Sequence, residues 1–381
     1  MISWRAATVV SRGATWPGAV ELQVRTDDGA ELRALAHPPL VGDPRPGDRV
    51  LLNVSAQVRG LGTGGYALVV ALPDRLPPDP PSGPGHLVKA RYTPLQAMVL
   101  GVDEQESAHH ALLADADDLG GMPVVVADLH SALPAVVAGA RSAAEAAGRP
   151  APRVVYVMTD GGALPAWFSR TVAGLRDAGW LEACVTVGQA FGGDLEAVTV
   201  HTGLLAARHV LAADLVVVAQ GPGNLGTGTR WGFSGVAAGE AVNAAATLGG
   251  RAVASLRVSG ADPRERHRGV SHHSLTAYGR VALAPADVVV PVAAPEDGSD
   301  PARATLLARV HEQARALVAP SGRHRLVEVP AGALLRDALV SSPVRLSTMG
   351  RGLDADPEAF LAAAAAGVHA ASLVPGADAA P

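Results

Sequence analysis

The sequence holds one cysteine, Cys184, in 381 residues, which excludes an internal disulfide and a cysteine-built zinc site and fits a reducing, cytoplasmic setting. Lysine is nearly absent: the 31 basic residues are 30 arginines and Lys89, a bias that reads, with the abundant Ala, Gly, Val and Pro, as codon composition. Aromatic residues make up 3% of the chain, so a core of large rings is excluded. Positive charge is not in excess, since the net charge is −5 and the pI about 6.2, which argues against nucleic acid and acidic membranes as general partners. Long apolar runs are also missing. The stretch 1–20 is broken by Arg5, Arg12, Gly13 and Pro17, so no export signal is expected. The segment 360–374 is interrupted by Gly367 and His369 and falls short of the roughly 20 residues of a membrane span. It is expected to be a packed C-terminal helix.

What is present is a globular composition, 48% apolar and 18% charged, long enough for two domains. Short Val- and Leu-rich runs at 8–10, 20–24, 31–36, 50–54 and 66–71, separated by turn residues, predict a small SH3-like or OB-like β-barrel over 1–72. Six prolines between Pro73 and Pro84 predict a semi-rigid linker over 73–88. From 89 to 381, apolar runs at 98–102, 123–127, 153–158, 183–187, 215–219, 252–258, 288–292 and 326–329 alternate with helical stretches near 131–147, 165–178, 235–248, 301–318 and 356–366. That alternation predicts a three-layer, Rossmann-like α/β sandwich on a mainly parallel sheet, with ligands at the carboxyl ends of its strands.

The strongest loop of that kind follows 215–219 and reads GPGNLGTGTRWGFSG. Gly221, Gly223 and Gly226 fit G-x-G-x-x-G. Asn224, Thr227 and Thr229 add polar groups, and Arg230 is a bidentate donor suited to phosphate or carboxylate. Trp231 and Phe233 would stack on a ring. A plain structural turn is the bland alternative. A dinucleotide fingerprint fits poorly, because the next strand ends near Arg257 and Ser259 rather than at an acidic residue, and there is no G-K-[ST] ending. No cofactor is identified.

The second constellation, ADPRERHRGVSHHSLTAYGR, places Arg264, Arg266, His267, Arg268, His272, His273 and Arg280 just after the run at 252–258. His267 and His272 are expected to move protons, and the arginines and His273 to contact an anion. A metal reading is the weaker one, because no regular ligand motif occurs. A solvated basic loop is the structural alternative. Both loops are expected on one sheet edge; a separation above about 15 Å excludes a site bridged by one small ligand.

Weaker signals complete the set. Asp160, with Gly161 and Gly162, either orients a reacting group or caps the helix after Pro165. Asp128 and His130 form a pair, with Ser131 as the expected cap of the next helix. His109 and His110 with Asp115, Asp117 and Asp118 read as a charged helix face. Lys89 reads as a hinge or surface residue.

The segments QGPGNLGTGTRWGFSG, ADPRERHRGVSHHSLTAYGR, VYVMTDGGALP and KARYTPLQ together resemble an uncharacterised bacterial family, the domain of unknown function 3866. The resemblance spans nearly the whole chain and implies a cytoplasmic protein of this layout. It implies no activity, so no residue role follows from it. Two function classes therefore stand: a hydrolase or group transferase acting on a small anionic or phosphorylated ligand, or a binding protein without turnover that uses the barrel for recognition. Oligomeric state carries no signal in the sequence.

Overall fold

A computed structural model describes residues 2–294 and 300–375. The first five strands, β1 (Trp4–Trp16), β2 (Ala19–Thr26), β3 (Glu31–Ala36), β4 (Arg49–Asn53) and β5 (Ala67–Ala71), close into a barrel in the order β1-β2-β3-β5-β4, with a short helix α1 (Pro38–Val41) before β4. Alternation builds its interior: Val20, Leu22 and Val24 point inward while Glu21, Gln23 and Arg25 stay outside. Closure leaves no free edge. The barrel is docked rather than tethered. Trp16 Nε1 donates to Trp167 O at 2.7 Å, and Arg170 lies over the Trp16 ring and pairs with Glu21 at 3.2 Å.

The proline-rich stretch leads into a two-stranded antiparallel ribbon, β6 (Leu87–Lys89) and β7 (Ala97–Val99). Two expectations are corrected here. The run at 98–102 supplies this ribbon and not a strand of the parallel sheet. Lys89 is neither hinge nor surface but buried, its Nζ donating to Ala190 O at 3.1 Å and Ala197 O at 2.8 Å beside Glu196. Burial lowers the Lys89 pKa and raises that of Glu196, so each charge depends on the other's company.

The rest of the chain runs α2 (His110–Leu113), β8 (Pro123–Ala127), α3 (Leu133–Ala146), β9 (Val154–Thr159), α4 (Arg170–Asp177), β10 (Ala183–Thr186), β11 (Leu195–Glu196), α5 (Val200–His209), β12 (Leu215–Gln220), α6 (Ala237–Thr247), β13 (Arg251–Ser255), a ribbon of β14 (Val258–Ser259) and β15 (Gly269–Val270), α7 (His272–Thr276), β16 (Asp287–Val292), α8 (Pro301–Val318), β17 (Arg325–Pro330), α9 (Ala333–Val340) and α10 (Pro357–Ser372). Eight strands form one parallel sheet in the order β11-β10-β9-β12-β8-β13-β16-β17. Its central strands are apolar without interruption because both faces are covered. Val124 and Val126 face α5, α6 and α8, whereas Val125 and Ala127 face α3 and α10. The chain leaves β8 through α3 towards β9 and β10, and leaves β12 through α6 in the opposite direction, towards β13. The crevice between these outgoing connections lies at the carboxyl ends of neighbours β8 and β12, where open parallel sheets take ligands. Among the described residues no helix is long and apolar enough to cross a membrane.

Scarcity of aromatics makes this core one of small side chains, and helices approach closely. Helix α10 lies on α3 with Gly139 against the carbonyl of Ala364 and Gly367 against that of Val136; a methyl at either position would sit far inside van der Waals contact with the opposing backbone. In an exposed helix Gly→Ala stabilises by about 0.5–1 kcal/mol. Here the sign reverses: Gly139→Ala and Gly367→Ala should each lower stability by roughly 1–3 kcal/mol through overpacking. Urea denaturation of the two variants checks this, and a rise in midpoint would show the two backbones free to separate.

Candidate functional site

The loops after β9 and β12 meet backbone to backbone. Gly221 N donates to Thr159 O at 3.1 Å and Ala163 N to Pro222 O at 2.7 Å, an approach that leaves no room for a Cβ at Gly162 or Gly221. At the end of β12 the buried Gln220 donates through Nε2 to Asp128 O at 2.7 Å and Asn224 Oδ1 at 2.8 Å. Asn224 Oδ1 also accepts from Ser234 Oγ at 3.2 Å, so Asn224 braces the loop's base.

The loop itself folds as a projecting hairpin. Gly226 pairs with Phe233, Thr227 N donates to Gly232 O at 2.7 Å, and Gly232 N donates to Thr229 Oγ1 at 3.2 Å. The hydroxyls of Thr227 and Thr229 bond each other at 3.0 Å. They are thus engaged within the turn, and α6 begins only at Ala237, so the glycines do not lead straight into a helix start. Instead the hairpin holds Arg230 and Trp231 out at its tip, both exposed.

Beside it stand the histidines. The β14–β15 ribbon returns the chain so that His267 ends a short 3-10 turn and α7 starts at His272. Ser271 caps α7 and shares a hydrogen bond with His267 Nδ1 at 2.7 Å, tying turn to helix. Phe233 from the hairpin stacks on His273, centroids 3.9 Å apart and planes at 2°. The two loops that the sequence placed on one edge therefore touch. Ring centroids of His267, His272 and His273 lie 4.4–5.0 Å apart, and one nitrogen from each falls within 4.8 Å of the others. Among the described residues this is the only group of three His, Cys, Asp or Glu side chains with such metal-compatible spacing. Tyr278, just beyond α7, anchors it to the sheet by donating to Val126 O at 2.8 Å.

Hairpin, α7 and α8 enclose a cleft of about 680 Å³ whose wall includes Arg230, Arg266, His272, Arg280 and Gln313. No carboxylate lines it, and among the described residues none of these three arginines has a carboxylate within ion-pair distance. Other residues of the sequence set sit differently. Arg264 is committed to Asp262 through two bonds of 2.9 Å, and Arg268 is exposed outside the cleft wall. Asp160 neither touches the histidines nor caps a helix: its Oδ2 accepts from Gln189 N at 2.8 Å, and Ser169 caps α4. Ser131 likewise caps nothing and donates to Thr348 Oγ1 at 3.1 Å. Helix α2 stops at Leu113, so the aspartates at 115–118 do not share a helix face with His110.

Electrostatics set the ring charges. Burial pushes the His267 pKa down to about 3, helped by Arg257 and Arg264, and that of His272 down to about 4, helped by His273 and Arg266. Both rings are therefore neutral near pH 7 and unsuited to donating a proton. Two residues that the sequence did not join to the histidines complete the surroundings: Arg257 Nη1 bonds His273 Nδ1 at 3.2 Å, and Asp128, buried after β8, holds Oδ2 3.7 Å from the same nitrogen without a hydrogen bond. Only the fold brings these together.

A model of the family described as protein of unknown function (DUF3866) matches residues 33–367. No curated protein and no solved structure matches the chain.

His130 provides a test of the buried network below the crevice. It bonds Tyr156 OH at 3.0 Å and Ser169 Oγ at 2.8 Å, and burial pushes its pKa down to about 4. The unfolded ring titrates near 6.5, so between about 6.5 and 4 only the unfolded chain takes up this proton. Stability should thus fall as pH drops through that window, by on the order of 3 kcal/mol for this group, with no further loss from it below about 4. His130→Gln should lose less stability than the parent between pH 7 and 4 in denaturant titrations; equal losses would show that His130 is not the proton acceptor.

Proposed function

The chain belongs to the family of proteins of unknown function DUF3866, and we propose that its α/β part binds a small anionic ligand, phosphorylated or carboxylated, and acts on it as a hydrolase or group transferase. One observation carries this reading: Arg230, Arg266 and Arg280 converge on a cleft without any carboxylate to neutralise them. Unpaired guanidinium groups around a concave space are complementary to oxyanions, which they hold by paired hydrogen bonds. In this reading Arg230 and Arg266 grip the anion and Arg280 balances its charge, with the Arg266 guanidinium lying beside Gly228 of the hairpin. Gly221, Gly223 and Gly226 shape the hairpin rather than cradle a phosphate. Trp231 at its tip offers a face for a ring on the ligand.

His272 is the reacting group nearest the anion, as it belongs to both the cleft wall and the histidine cluster. Its neutral ring supplies a lone pair, not a proton. His267 and His273 orient it, and Asp160, bonded at the end of β10, stays outside the reacting set. The competing reading, a binder that recognises its partner through the barrel, shares the arginine cleft but has no use for a histidine beside it.

Thermal-shift titrations with inorganic phosphate, pyrophosphate, nucleotides, sugar phosphates and dicarboxylates test the binding. At least one should raise Tm, and Arg266→Ala or Arg230→Ala should weaken it by about tenfold or more, since a charge-assisted hydrogen bond contributes about 1.5–3 kcal/mol. Silence across the whole panel would overturn the anion reading. For the ligand that binds, His272→Ala should abolish turnover with affinity kept within a few-fold; affinity without turnover in the parent would favour the binder.

A further inference from the structure

The three histidines allow a different role, one that would occupy the lone pair that the anion reading leaves free on His272. We infer that His267, His272 and His273 are the protein ligands of a divalent transition-metal ion of the zinc class, held at the carboxyl edge of the sheet where β8 and β13 end.

The geometry comes first. One ring nitrogen from each residue lies within 4.8 Å of the others, so small ring rotations bring all three to the roughly 2.0–2.1 Å that zinc–imidazole bonds require. The rings are not free to scatter: His267 is tied to Ser271, His273 is stacked on Phe233, and α7 is pinned to the sheet through Tyr278. These contacts hold the three rings beside one another, so only ring rotation separates the arrangement from a ligand set.

Two orphaned polar atoms then point to a missing partner. His272 Nε2 is buried and has no hydrogen bond. Asp128 is 2% exposed, and its Oδ2 is likewise unpartnered. Buried polar atoms are nearly always satisfied, and a buried nitrogen without a hydrogen bond beside two more imidazoles has the chemistry of a metal ligand. Asp128 supplies the outer group that metal-bound histidines usually have. Ligation of His273 through Nε2 leaves its ring proton on Nδ1, which faces Asp128 Oδ2 at 3.7 Å, a carboxylate–histidine–metal arrangement. His273 would then exchange its bond from Arg257 for one to Asp128.

The ligand set also chooses the ion. Three nitrogens and no carboxylate or thiolate in the inner shell suit Zn²⁺, Co²⁺ or Ni²⁺ and not Mg²⁺ or Ca²⁺. Three protein ligands leave a fourth position open, the pattern of catalytic rather than structural zinc. Because His272 also lines the arginine cleft, the ion would border the space proposed for the anion.

This inference stands on the histidines and not on the anion reading, and the two fail separately: metal binding is measured with no anion present. Chelator-treated, dialysed protein is titrated with CoCl₂ and followed by visible absorption, with ZnCl₂ as competitor. One equivalent should give the d–d bands of a four-coordinate site, Zn²⁺ should erase them, and either metal should raise Tm. His272→Ala should lose the bands while its far-UV circular dichroism stays that of the parent. Asp128→Asn should keep them at about 10–100-fold weaker affinity, as loss of an outer partner does. A folded parent that binds no Co²⁺ at a clear excess of metal, or a His272→Ala protein that binds it as tightly as the parent, would overturn the site. MgCl₂ in place of CoCl₂ should give no rise in Tm, and stabilisation by Mg²⁺ alone would equally count against it.

Discussion

The contact on which the rest of this structure depends is the near-touching of α3 and α10. Glycine at 139 and 367 lets two backbones meet without intervening side chains, and that depth of seating fixes where α10 begins. Its N-terminal Asp356, 1% exposed, accepts from Ser259 Oγ at 2.5 Å, Gly260 N at 3.0 Å and Arg351 Nε at 3.0 Å. Arg351 also reaches Asp262 at 3.2 Å, and Asp262 grips Arg264. A helix-packing distance on one face of the sheet is thereby transmitted to the loop that carries the histidines. Removing one member of that buried chain leaves a charge without compensation, which is the expensive way to break an ion pair.

The same chain of pairs decides the charge of the cleft. Asp262 is taken by Arg264 and Arg351, Asp356 by Arg351, and Glu265 by Arg309. Arg264 holds the Asp262 carboxyl far below the usual range, so that site stays ionised and occupied at any ordinary pH. With nearby acids spent, Arg230, Arg266 and Arg280 keep their charge facing solvent. A chain whose net charge is −5 thus carries a locally positive concavity, and the net charge alone says nothing about it.

Much of this was legible in the chain. Short apolar runs at 123–127, 153–158 and 215–219, alternating with helical stretches, read as strands covered on both faces, and turn-separated runs at 20–24 and 31–36 read as barrel strands; the sheet and the barrel bear both out. Strand succession put the glycine hairpin and the histidine segment on one sheet edge only as an expectation; β8 lies between β12 and β13, and the contact is made by Phe233 reaching His273. What did not follow were properties of distance. Lys89 reads as exposed in any local window, and its burial depends on carbonyls at 190 and 197. Thr227 and Thr229 read as ligand groups until the hairpin turns them on each other. Asp128 meets His273 across the sheet edge, a pairing set by β8 lying beside β13 and by no spacing in the sequence. The short run at 98–102 has the composition of a core strand, yet its start pairs with 87–89 and it meets the parallel sheet only at its end, where Gly101 bridges Glu196 and Val102 N donates to Glu196 O at 2.7 Å.

The stack of Phe233 on His273 shows why few aromatics suffice. In a core of alanine and valine there is little rigid surface to hold a loop, and both loops here are otherwise made of small, polar or charged residues. One ring from the hairpin laid flat on one imidazole fixes the separation of the two loops. Burial keeps His267 and His272 neutral near pH 7, so these two rings stand close to His273, Arg257 and Arg266 without adding charge of their own. Arginines lining a cleft free of carboxylates, beside His267 and His272 kept neutral by burial and by neighbouring cations, form a charge pattern that packing alone sets.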